Sequence, residues 1–141
     1  MIVSSDARRV AVFFYGLFMD EDLLRTKGAE PTHVERALLE DWALRIGQRA
    51  TLVPANGSRV YGILMELTQT EIEQLYADPS VRAYRPEAVL ARRGDGTAVP
   101  TLCFNLLDPP RPEERNPEYA TKLRALARRL ELPAVYVESL T

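Results

Sequence analysis

The chain has 141 residues with 18 basic and 20 acidic side chains, and this balance argues against nucleic acid as a partner. Apolar residues make up 46% of the chain, which excludes a disordered sequence and supports a single domain over residues 1–141. The longest apolar stretch, Val10 to Met19, is shorter than the ~20 residues that cross a bilayer, so we expect no membrane insertion. The start shows no signal-peptide cleavage site, and we therefore expect a cytoplasmic protein.

The first predicted elements are a strand, a glycine turn and a short helix. The run from Val10 to Tyr15 is continuous and β-prone, and it ends at Gly16. Asp20 then offers a side-chain N-cap, and Gly28 a C-terminal stop, for a short helix.

The next segment predicts short strands joined by tight turns. From Val34 to Gly47 the large apolar residues are interrupted by Glu40-Asp41, which indicates two short strands with a tight connection. Asn56-Gly57 predicts a hairpin turn, because both residues tolerate a positive φ. The apolar run from Val60 to Leu67 provides the strand that follows.

A helix and a second hairpin come next. Thr68 and Glu71 have the spacing of a capping box, which satisfies free amide groups at the beginning of a helix. Further along, Gly94-Asp95-Gly96 permits a chain reversal between two β-prone runs, Tyr84 to Arg92 and Ala98 to Leu106.

The last predicted helix begins at Asn116, an N-cap followed by Pro117 at the first helical position, where no amide hydrogen is needed. Hairpin strands with about three helices at intervals describe an α+β fold whose sheet can curl toward a barrel.

The chain offers few residues for metal or nucleophilic chemistry. His33 is the sole histidine, which excludes a metal site of clustered histidines, and we place it at the surface or at a strand end. Cys103 has no partner for an intrachain disulfide and sits in an apolar run, so we interpret it as a small buried hydrophobe.

Three separated segments carry a resemblance to a known family. The family's motifs are an opening Tyr-Gly-Ser-Asn-Met or Tyr-Gly-Thr-Leu-Met, a Val-x-Gly strand with a helix and a nearby Tyr, and Pro-Ser-x-x-Tyr with a closing Leu-Pro-x-x-Tyr. The similar segments here are Phe13 to Met19, then Val60 to Leu67 with Leu75 and Tyr84-Arg85, then Asn116 to Tyr119 with Leu132 to Tyr136. In this order, over about residues 10–140, the chain resembles the gamma-glutamylcyclotransferase-like family, which includes avirulence-induced proteins and gamma-glutamylamine cyclotransferases.

The resemblance implies a small mixed, largely antiparallel barrel with helices around a cavity. Family members cyclise a gamma-glutamyl group by attack of its own α-amine on the γ-carbonyl, which yields 5-oxoproline and requires no cofactor. Because an ammonium cannot attack, a glutamate serves as general base and then as general acid. Backbone amides of the glycine loop hold the charge of the substrate.

The sequence departs from the family at that glutamate. Where the family motif reads Leu-Asp-x-x-Glu-Gly, Leu75 is followed by Tyr-Ala-Asp-Pro-Ser, so Pro79 occupies the glutamate position. A one-residue deletion would make Asp78 the substitute base, although aspartate is shorter and Asp-Pro after a helix is a common turn. Glu66 is the other open candidate, on either the outer face or the interior of the barrel.

The resemblance also implies a substrate-binding set without a metal, formed by the glycine loop and four tyrosines: Tyr15, Gly16, Leu17, Phe18, Met19, Tyr84, Tyr119 and Tyr136. We expect the ligand to be a small molecule with amine or carboxylate groups, such as a gamma-glutamyl compound. The first hypothesis is that the cyclotransferase activity is lost or altered, and the alternative is an active gamma-glutamyl-amine cyclotransferase with Asp78 as its base. A non-enzymatic interaction module is the third hypothesis.

Overall fold

The computed structural model describes residues 8–141, so the prediction about a signal peptide concerns a start that lies outside the described range. The strands are β1 (Arg9–Phe14), β2 (Thr32–Ile46), β3 (Ala50–Thr68), β4 (Tyr84–Arg93) and β5 (Ala98–Leu106). The helices are α1 (Glu21–Thr26), α2 (Gln69–Leu75), α3 (Pro117–Arg129) and α4 (Ala134–Ser139), and a 3₁₀ turn covers Leu17–Met19. Within this range, none of the helices has the length and apolarity that crossing a bilayer requires.

The strands close into a barrel in the order β1-β3-β2-β4-β5. Neighbouring strands run antiparallel except β1 and β5, which are parallel where Val12 pairs with Leu102. β4 and β5 form the hairpin that Gly94-Asp95-Gly96 predicts. The α+β class and the largely antiparallel mixed barrel are therefore confirmed. α4 is a helix that the sequence did not predict.

The segment around β2 and the first half of β3 differs from the prediction. β2 and β3 form one long hairpin that turns at residues 47–49, so the prediction of a turn at Asn56-Gly57 was wrong. Asp41 and Gly57 both have positive φ, 68° and 82°, and the amide of Gly57 donates to Asp41 Oδ1 at 2.9 Å. These residues bulge inside one continuous ladder, and the two short strands predicted around Asp41 are a single strand. Bulges and turns require the same residue types, which is why the local pattern was ambiguous.

The predicted helix caps are confirmed. Thr68 Oγ1 accepts the amide of Glu71 at 3.1 Å, while Glu71 Oε1 accepts the amide of Thr68 at 2.8 Å. Asn116 Oδ1 accepts the amide of Tyr119 at 3.1 Å, and the Asp20 side chain caps α1. Each cap satisfies amide groups that have no partner inside the helix.

Alternate residues of each strand pack on opposite faces of the sheet. One face forms a cluster of strand residues inside the barrel, which includes Phe13, Leu39 and Cys103. The other face packs beneath the helices, with Phe14 of β1 and Leu123 of α3 in the same cluster. β1 contributes to both clusters, so the turn that follows it lies where the barrel interior meets the helices.

Candidate functional site

A cavity of about 110 Å³ opens at the end of the barrel where β1 ends and where β3 and β4 begin. It is lined by the end of β1, its turn and single residues from other elements: Phe13, Phe14, Tyr15, Gly16, Leu17, Phe18, Ala50, Tyr76, Tyr84, Phe104 and Tyr119. Tyr76 immediately follows α2. The turn after β1 and the segment beyond Leu75 therefore share one pocket.

The turn after β1 brings the backbone close to α3. A Cβ atom on Gly16 would lie 2.7 Å from Tyr119 Oη, so only glycine fits at residue 16 without a shift of that hydroxyl. The backbone of Leu17 contacts the same hydroxyl. Burial raises the pKa of Tyr119, and the contact with the Leu17 backbone offsets only part of that rise. This phenol is therefore protonated at neutral pH.

Aromatic rings form another wall of the cavity. Tyr76 stacks on Phe104 with ring centroids 4.1 Å apart and planes inclined by 16°. Phe18 meets Tyr76 edge-on at 5.8 Å, and Tyr84 lies tilted against it at 6.3 Å. Stacked and edge-to-face pairs contribute stabilisation beyond the burial of their area. The rings thus hold one another in place around the cavity.

Two of the cavity tyrosines use their hydroxyls within the protein. Tyr15 Oη donates to the carbonyl of Phe104 at 2.7 Å, and Tyr84 Oη donates to the carbonyl of Ala50 at 2.5 Å. Burial raises the pKa of Tyr15 well above its ordinary value and also raises the pKa of Tyr84. Both phenols are neutral hydrogen-bond donors at neutral pH.

The structure brings most of the predicted substrate-binding residues together. Those that line the cavity are Tyr15, Gly16, Leu17, Phe18, Tyr84 and Tyr119. Met19 is buried in the core beneath the helices instead. Tyr136 of α4 packs edge-to-face against Tyr61, with ring centroids 5.2 Å apart, and is not part of the lining. Met19 and Tyr136 therefore do not reach the cavity.

The predicted base Asp78 lies in an exposed turn and is not part of the cavity lining. Its Oδ1 accepts the Ser80 hydroxyl at 2.7 Å and the Ser80 amide at 2.9 Å. These two hydrogen bonds lower the pKa of Asp78, which makes its carboxylate a weaker base. Pro79, at the family's glutamate position, is exposed in the same turn. The geometry matches the common Asp-Pro turn after a helix.

Other carboxylates have partners elsewhere. Glu66 Oε1 lies 3.1 Å from Nδ1 of His33, which is exposed at the beginning of β2. Glu71 is engaged in the cap of α2, and Glu87 accepts Nδ2 of Asn105 at 3.0 Å. None of these carboxylates lines the cavity. In the described part of the chain, no group of three His, Cys, Asp or Glu side chains could hold a metal ion.

Sequence reasoning missed five of the cavity residues, which are Phe13, Phe14, Ala50, Tyr76 and Phe104. Tyr76 had a usable signal, because it directly follows Leu75 at the end of the helix that the family motif marks. Phe104 and Ala50 had none, since pairing between distant strands brings them to the cavity. The aromatic wall is therefore a product of the tertiary structure.

The closed mixed barrel with helices on its outer face is a fold that this chain shares with a solved structure named gamma-glutamyl cyclotransferase. The family described as "Gamma-glutamyl cyclotransferase, AIG2-like" matches residues 12–122, and this chain belongs to it. A comparison with curated protein sequences found no match.

Solved structures share the fold at low sequence identity. A protein named gamma-glutamyl cyclotransferase has a TM-score of 0.78 and 19% identity, over 94% of this chain and 86% of that one. The human protein loc79017 has a TM-score of 0.75 and 21% identity, with the same coverage of 94% and 86%. YkqA from Bacillus subtilis has a TM-score of 0.76 and 22% identity, over 94% of this chain and 53% of that one. These likenesses show the fold.

Proposed function

We propose that this protein binds a small molecule in the aromatic cavity and that the family's cyclotransferase activity is lost or altered in it. A concave, mostly apolar pocket with a few convergent polar groups is the usual form of a small-molecule site. Here the turn at Gly16, the residue after α2 and a tyrosine of α3 converge on such a pocket. Membership of the family supports a small molecule as the ligand.

The observation that carries the proposal is the chemistry of the cavity lining. Cyclisation of a gamma-glutamyl group requires a base that removes a proton from the ammonium and then returns a proton to the leaving nitrogen. The lining contains aromatic and aliphatic side chains and one glycine, without a carboxylate, histidine, lysine or arginine. Burial raises the pKa of its tyrosines, Tyr15, Tyr76, Tyr84 and Tyr119. At neutral pH they donate hydrogen bonds and do not act as bases.

The alternative is an active gamma-glutamyl-amine cyclotransferase with Asp78 as its base. A general base must come within ~2.6 to 3.2 Å of the atom that carries the proton. Asp78 is exposed, and Ser80 occupies one of its carboxylate oxygens. This alternative therefore requires the turn after α2 to open and carry Asp78 toward the cavity. The hypothesis of an interaction module has no observation in its favour.

An assay for 5-oxoproline tests the proposal. The purified protein is incubated with gamma-glutamyl dipeptides and with gamma-glutamyl amines, and we expect no product above the protein-free rate. Product that disappears in Asp78→Asn and persists in Glu66→Gln would overturn the proposal in favour of the active enzyme. Glu66→Gln is the matched control, because it also neutralises one carboxylate outside the cavity lining.

A further inference from the structure

The hydroxyl of Tyr76 has no hydrogen-bond partner among residues 8–141, although its ring is mostly buried and stacked on Phe104. Burial raises the pKa of Tyr76 well above its ordinary value, so the group is a neutral donor. In the same range, the unpartnered hydroxyls that are sealed from solvent belong to Thr32, Thr101 and Tyr136. The Tyr76 hydroxyl is not one of them, so solvent reaches it, and Tyr76 is part of the cavity lining.

The other hydroxyls of the cavity lie against the backbone. Those of Tyr15 and Tyr84 donate to backbone carbonyls. The hydroxyl of Tyr119 contacts the backbone of Leu17. The cavity thus offers one spare donor, the hydroxyl of Tyr76 on the aromatic wall.

Charged side chains are missing from the cavity lining, which disfavours a charged ligand. A buried carboxylate or ammonium without a partner is costly, and the ion then prefers water. Burial raises the pKa of Tyr84, and the charge of Arg49, which is next to Ala50, lowers it by a smaller amount. Arg49 is exposed, so water and salt screen its charge.

The volume limits the size of the ligand. The cavity holds about 110 Å³, and an apolar cavity of about 150 Å³ is known to take benzene. The cavity here is smaller, so one ring is the upper limit for the part of the ligand that lies inside it. Rings on the cavity wall such as Phe18 and Phe104 offer such a molecule apolar contact.

We infer that the cavity takes an uncharged, ring-sized molecule with a carbonyl-type oxygen. This inference rests on the proposed binding function. The body of the ligand packs against the aromatic wall. Its oxygen accepts the hydroxyl of Tyr76. Tyr76 directly follows Leu75, three residues before the family's glutamate position. It is then the residue that selects the ligand.

Three matched probes test this inference: benzamide, benzoate and benzylammonium. They share a ring and a short head group and differ in charge, and ligand-observed NMR titration measures the affinity of each. We expect benzamide to bind about tenfold more tightly than either ion, or better, because the ions lose hydration without gaining a side chain of opposite charge in the cavity lining. If an ion binds as tightly as benzamide, the inference is wrong and the proposed binding function stands. If none of the probes binds at millimolar concentration, the proposed function fails with it.

A variant then tests the role of the hydroxyl. Tyr76→Phe keeps the ring and its stack on Phe104, and we expect it to weaken benzamide binding by about fivefold to tenfold, the worth of one hydrogen bond. Tyr61→Phe is the matched control, since Tyr61 lies outside the cavity against Tyr136. Benzamide affinity that is unchanged in Tyr76→Phe would overturn the inference, with the melting temperature of the variant verifying its fold.

Discussion

Gly62 lies in β3 beside the end of β1, and alanine at this position should strain the barrel. A Cβ atom on residue 62 would lie 2.2 Å from the carbonyl oxygen of Phe14 and 2.8 Å from Cζ of Phe13. Non-bonded heavy atoms prefer a separation of roughly 3.5 Å. Both contacts are so much shorter that a change of side-chain rotamer cannot relieve them. The oxygen belongs to a backbone that is paired with β3, where Phe14 faces Ile63. One strand must therefore move away from the other.

The expected cost follows from what has to move. Adding a methylene to a well-packed core typically costs about 1–3 kcal/mol. Because backbone must shift at Gly62, we expect the upper end, about 3 kcal/mol. In a chain of 141 residues, a loss of this size lowers the melting temperature by roughly 10 °C.

Urea unfolding followed by circular dichroism measures the free energy of unfolding of Gly62→Ala. Gly94→Ala is the matched control, because a Cβ atom on residue 94 meets nothing within 4 Å and the glycine is outside the positive-φ region. We expect Gly94→Ala to remain within about 0.5 kcal/mol of the wild type. Equal losses in the two variants would refute the packing argument.

Three further predictions concern other contacts. Asn105 Oδ1 accepts the amide of Leu52 at 3.3 Å. Asn105→Ala leaves this buried amide without its acceptor, so it should lower the free energy of unfolding by about 2 kcal/mol in a urea titration. An unchanged midpoint of unfolding would contradict this. Glu71→Gln should lower the free energy of unfolding by about 1 kcal/mol at neutral pH, measured in urea. Burial raises the pKa of Glu71, but the amides of Thr68 and Glu30 and the charge of Arg9 outweigh it and hold the pKa below its ordinary value. The stabilisation is therefore complete above the unfolded-state pKa and is lost as the pH falls through the folded-state pKa, so the difference in free energy of unfolding between variant and wild type should shrink over that acidic range. Burial, aided by Glu87, raises the pKa of Cys103 to about 12, so a thiol reagent should label it only after unfolding, and rapid labelling of the native protein would contradict its burial.

The candidate site was predictable in part. The glycine turn and the tyrosines at residues 15, 84 and 119 were found through motif order, since each follows or begins an element with a strong local signal. Met19 and Tyr136 had equally good motif positions, yet their side chains point into other packing interfaces. A motif gives the position of a residue in the chain, and it does not give the direction of its side chain.

The sequence alone determined the features whose interactions span a few residues. The caps at Thr68 and Asn116, and the reversal at Gly94-Asp95-Gly96, depend on hydrogen bonds or backbone angles within one turn, so local residue types suffice. Family membership also followed from the sequence, because it rests on the order of such segments.

Only the tertiary structure decided the rest. Whether Asn56-Gly57 turns the chain or bulges within a strand depends on Asp41, which contacts it across the β2–β3 ladder. Whether Tyr76 or Asp78 faces the cavity depends on how the residues after α2 meet the ring of Phe104 from a distant strand. These outcomes are set by packing between segments far apart in the chain, and a local pattern carries no information about the surface that it will meet.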